Sequence, residues 1–162
     1  MVVGVSVQQP VASDHQLARL LQIGVVLEEV VEARAAKHAD MADLDDTVRA
    51  FLREAAAESA THRERLDELV DALEADTIPF DDIKTLVEKQ YEADQDFDGV
   101  LYDQLCNEET AYKFYDDLID AIESSEVTLS IDRERLLSVL REIRADEETG
   151  VEDVTELMEK RE

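Results

Sequence analysis

The chain has 162 residues, of which 42 are Asp or Glu and 16 are Lys or Arg, for a formal charge of −26. That balance excludes unaided binding to nucleic acid or to an anionic membrane, both of which need clustered cations, and no apolar run reaches the ~18 residues of a spanning helix. Hydrophobic residues make up 44%, so one domain of this length can build a core without covalent staples.

Val, Gly and Ser alternate over residues 2–7, which reads as a frayed arm, and residues 1–13 are expected to form an N-terminal tail. The opening MVVGVSVQQP lacks the basic start and long apolar stretch of a secretory leader. The bundle proper is expected over residues 14–162. A first helix is capped by Ser13 or Asp14 and runs to about Ala39. Asp43, followed by Asp46, resembles a capping box, so a second helix starts near Leu44 and ends near Ala75. Thr77-Ile78-Pro79 breaks the chain. A short helix follows near Asp81 to Glu92, with Ile83, Leu86, Val87 and Tyr91 on one face. A third long helix covers about Asp98 to Glu123, and a last one, capped by Ser130 or Asp132, reaches about Lys160.

Four long helices with one long connection describe an all-α, antiparallel four-helix bundle. The short joins make neighbours of helices 1 and 2 and of helices 3 and 4. The middle segment carries the chain across the bundle as a long crossover containing a short helix. The apolar face of that short helix either pairs with a second copy, which suggests a homodimer, or packs on its own bundle.

Certain carboxylates interrupt the apolar stripes. Glu28 lies among Leu21, Val25, Val31 and Ala35, and Glu108 lies at the same offsets among Leu101, Leu105, Ala111 and Tyr115. Phe51 and Ala55 lead to Glu58 and His62. Leu136, Leu140, Ile143 and Val154 surround Glu147. Unpaired buried carboxylates lose several kcal/mol of solvation, so they need a proton, an Arg or a metal cation. Carboxylates with an imidazole inside a bundle suit iron or manganese.

The segment Glu108-x-x-Ala111-x-x-Phe114-Tyr115 resembles the third helix of the ferritin-like, rubrerythrin-like carboxylate proteins. The resemblance covers roughly residues 15–158 and implies a ferritin-like bundle. Its implied metal ligands are Glu28, Glu58, His62, Glu108 and Glu147. The pattern departs in two places. Ser59 stands where a Glu would precede His62, and Gly150 stands where a His would follow Glu147. Ferritins proper also lack the latter His, and Glu58 is placed to compensate for Ser59. The family chemistry would be reaction with oxygen or peroxide. The second reading is a metal-free ferritin-like bundle serving as an interaction or regulatory module. A redox partner is not legible, and one cysteine cannot build a rubrerythrin's separate iron domain.

Other features carry less. Asp94-Gln-Asp96-Phe-Asp98-Gly99 imitates the start of a calcium loop, but the twelfth position is Leu105 rather than Glu, and an N-terminal cap cluster explains the run. Cys106 reads as a buried thiol, and as the one cysteine it can form no intrachain disulfide, which suits a reducing cytoplasm. Tyr112 and Tyr115 read as core aromatics, and His15 and His38 carry no motif. The acids are spread along the whole chain rather than gathered in a tail, as in proteins of salt-accumulating halophiles, where molar salt confines repulsion to ~3 Å. An acidic protein with a cationic partner is the alternative.

Overall fold

The computed structural model describes residues 9–75 and 99–160. Among them are four helices and no strand: α1 (Asp14–Ala39), α2 (Asp46–Ala72), α3 (Val100–Glu123) and α4 (Arg133–Lys160). The short helix expected at 81–92, its apolar face and the Asp94–Asp98 run lie outside the described residues.

Local chemistry sets the ends. The Ser13 hydroxyl accepts from Gln16 N at 3.1 Å and opens α1. Asp45, not Asp43, caps α2, accepting from Thr47 N and Val48 N. Gly99 precedes α3 at φ 137°, a conformation that favours glycine. Both hairpin turns are then pinned by an arginine from the next helix. Arg49 Nε and Nη2 donate to the carbonyls of Ala39 and Met41 at 2.9 and 2.7 Å. Arg133 Nη2 donates to the carbonyls of Ile122 and Glu123 at 2.6 and 3.0 Å. A guanidinium at a helix C-terminus satisfies orphan carbonyls and complements the helix dipole.

α1 packs on α2 and α3 packs on α4, and each hairpin presents its apolar stripe to the other. The tail ahead of α1 joins the core at Val11, whose N–H donates to the Ala121 carbonyl at 3.0 Å. Gly24 allows a close approach of the hairpins: a Cβ there would stand 3.2 Å from both Leu66 and Phe114. Ion pairs cross every neighbouring pair of helices, namely Arg63–Glu32, Arg34–Asp103, Arg65–Glu142, and Arg144–Asp116 with Arg141–Glu123.

The helix directions follow from these contacts. α2 ends beside the α3–α4 turn, where Glu74 N donates to Ser130 Oγ at 2.9 Å. α3 begins at the opposite end, where Val100 and Leu101 pack near Ala39, Val48 and Leu52. The chain therefore leaves one end of the bundle at residue 75 and re-enters at the other at residue 99.

Candidate metal centre

The stripes of α1 and α4 are as the periodicity predicts. Leu21, Val25, Val31 and Ala35 are buried around Glu28, which is 1% exposed. Leu136, Leu140, Ile143 and Val154 are buried around Glu147, which is 4% exposed. The stripe of α2 is turned by about one residue. Val48, Leu52, Ser59, His62 and Leu66 are buried, whereas Phe51, Ala55 and Glu58 are half-buried. A residue four before His62 shares its face nearly as well as one three before it, so spacing alone did not separate Glu58 from Ser59. In the first turns of α3, Leu101 and Leu105 are half-buried and Asp103, Gln104 and Asn107 take the core positions. Cys106 is half-buried rather than buried.

Three of the expected residues converge. His62 Nδ1 lies 3.1 Å from Glu147 Oε1 and 3.4 Å from Glu28 Oε2. The donor atoms of Glu28, His62 and Glu147 all fall within 4.8 Å of one another. Ligands bound ~2.0–2.2 Å from one ion stand roughly 3–3.5 Å apart, so both imidazole–carboxylate separations are of the right size. Glu28 Oε1 is buried and has no hydrogen-bond partner, leaving a lone pair free to meet a cation.

Glu108 adjoins this group without belonging to it. It is 5% exposed, accepts from Gln104 Nε2 at 2.8 Å and shares a hydrogen bond with Glu147. Its carboxyl group lies over Gly150, where an added Cβ would meet all three carboxyl atoms within 2.9 Å. The residue at 150 is small because Glu108 occupies the space a side chain there would need. Glu58 stands on the outer side of His62, with Asp146.

Two supporting contacts had no distinct sequence signal. Asp146 Oδ2 lies 2.9 Å from His62 Nε2, which holds the ring so that Nδ1 faces the carboxylates. The Tyr115 hydroxyl donates to Glu28 Oε2 at 2.5 Å. Tyr115 is a core aromatic as expected, packed edge-on against Phe114, but its hydroxyl also serves the site.

The electrostatics follow from burial and crowding. Burial alone would lower the His62 pKa, but its hydrogen bonds to Glu147 and Glu28 override this and push it up to about 11. Carboxylates facing both ring nitrogens thus favour the imidazolium form of His62. Burial and the nearby Glu28 raise Glu147 well above the carboxylate range, and burial raises Glu108. Glu58 is pushed up to about 7, first by burial and then by Asp146, Glu108 and Glu28, with His62 opposing. Like-charged groups in a dry space retain protons unless a cation replaces them.

No family model matches the chain, and no curated protein or solved structure matches it. No described helix is long and apolar enough to cross a membrane.

Proposed function

We propose that this protein is a ferritin-like bundle that holds a divalent ion, iron or manganese, on Glu28, His62 and Glu147, with Glu108 beside them. The observation that carries the reading is the buried convergence of two carboxylates and one imidazole from α1, α2 and α4. Supporting it, α2 ends and α3 begins at opposite ends of the bundle, as a ferritin-like crossover requires. The contact of Asp146 with the remote ring nitrogen is the carboxylate–histidine arrangement that commonly orients a metal-bound imidazole.

A bound ion would supply Lewis-acid and one-electron chemistry. The chain's own part is separate. Tyr115 orients Glu28, Asp146 keeps the Nε2 proton of His62, and Glu108 accepts or releases a proton beside Glu147. To bind an ion, His62 must surrender the proton on Nδ1, so affinity rises with pH.

A second reading has its own observation. Both ring nitrogens of His62 already face carboxylates, so the imidazolium can balance the cluster without any ion. The bundle would then be a metal-free interaction module.

Elemental analysis of protein purified in molar salt without chelator separates the two. Under the metal reading, Mn(II) or Fe(II) at a hundredfold excess over its dissociation constant raises stability by ~2.7 kcal/mol, measured by melting at matched ionic strength. His62→Gln and Glu147→Gln remove that gain, whereas Asp153→Asn, on the exposed face of α4, keeps it. A wild type that gains nothing from Mn(II), Fe(II) or Zn(II) defeats the metal reading.

A further inference from the structure

The first two turns of α3 bury polar groups that the metal reading does not use. Asn107 is 1% exposed, and neither its Nδ2 nor its Oδ1 has a hydrogen-bond partner. Gln104 is buried beside it on the same face, and while its Nε2 is engaged by Glu108, its Oε1 has no partner. One turn before Asn107, the buried Asp103 carboxylate is paired with Arg34 and faces His38 Nδ1 at 3.4 Å. Arg34 and His38 reach the surface. Polar groups therefore run without interruption along α3 from a partly exposed pair to Glu108.

An unmade hydrogen bond on a buried polar atom costs ~1–3 kcal/mol, and here three such atoms sit on two adjacent amides. Native interiors meet such atoms with ordered water, which needs two to four polar partners. The unpartnered atoms are one donor and two acceptors, so a molecule that both donates and accepts fits them. The amides are neutral, and Asp103 is already offset by Arg34, so nothing there selects an ion.

We propose that Asn107 and Gln104 bound an internal hydration site next to Glu108. The site is independent of the metal reading, because its orphan atoms exist whether or not an ion binds.

Water-to-protein NOE and ROE spectra of the full-length, metal-free, 15N-labelled protein test this. Cross-peaks of long-lived water at the side-chain amide protons of both Asn107 and Gln104 are expected. Asn107→Leu replaces the orphan amide with an apolar group of similar volume. It should abolish the cross-peak at Gln104 while the backbone amide spectrum stays dispersed. A folded wild type with no water cross-peak at either side chain overturns the proposal, as does an Asn107→Leu protein that keeps the Gln104 cross-peak. Because no metal is present, failure here is distinct from failure of the metal reading.

Discussion

The two ends of the bundle are built on different principles. At the end holding the α3–α4 turn, the interior is Leu17, Leu21, Leu66, Leu69, Phe114, Leu118, Ile119 and Leu136, and the buried polar side chain there, Ser125, has its hydroxyl satisfied by the Val11 carbonyl. At the other end, Asp103, Gln104 and Asn107 take core positions, and the apolar cluster shrinks to Ala39, Val48 and Leu52. The carboxylate–imidazole group lies at the boundary. One end supplies stability that needs no directional partners, and the other tolerates costly groups because the first holds the helices in place.

The largest test attacks the apolar end. Phe114→Ala removes a buried ring that packs against Tyr115 and lies beside Gly24, and should cost ~3–5 kcal/mol in chemical denaturation. A loss under ~1 kcal/mol would show that the division between the ends is false. Next is the polar end. Arg34→Met leaves the Asp103 carboxylate buried with His38 alone and should cost ~3 kcal/mol. Adding Asp103→Leu should restore most of that loss, because an apolar pair replaces a buried charge pair. If the double variant is as unstable as the single, the pair itself is what holds this end together.

The boundary group responds to pH. The His62 pKa is raised on folding from 6.5 to about 11, so its contribution is complete below pH 6.5 and lost as pH rises towards 11. Glu58 acts in the same direction, with its contribution lost between pH 4.5 and about 7. Metal-free protein should therefore lose stability above pH 6.5, at up to ~1.4 kcal/mol per pH unit from His62, or ~2 kcal/mol by pH 8. His62→Gln should flatten that slope. A wild-type stability that rises with pH over this interval contradicts the imidazolium assignment.

The smallest effect on stability, and the sharpest on the site, is expected from Gly150→Ala. Alanine favours the helix by ~1 kcal/mol, but its Cβ must displace the Glu108 carboxyl group. The melting temperature should barely move while the gain from Mn(II) falls. An unchanged gain would mean that Glu108 has no part in the site.

Much of this was legible in the sequence. The four long helices, the stripes of α1 and α4, and the inward turn of Glu28, Glu108 and Glu147 all follow from 3.6-residue periodicity. The start of α2 was not, because Asp43, Asp45 and Asp46 compete as caps and only the folded turn selects Asp45. The polar end was not either. Leu101 and Leu105 are the apolar residues at the start of α3, and reading Asp103 as buried requires knowing that Arg34 arrives from α1. Asp146 likewise acquires its role only when α4 lies against α2.

The arginine clasps on the two turns bear on the order of assembly. Arg49 and Arg133 close contacts that span no more than eleven residues, so each hairpin can form from interactions local in sequence. The candidate ligands are divided between the hairpins, Glu28 and His62 on one, Glu108 and Glu147 on the other. Glu28 meets His62 within one hairpin and Glu108 meets Glu147 within the other, so the group of Glu28, His62 and Glu147 is complete only when the hairpins dock. In stopped-flow mixing, Mn(II) should leave the refolding rate of the helical signal unchanged and slow unfolding; a metal-dependent early refolding phase would mean that a single hairpin already holds the ion.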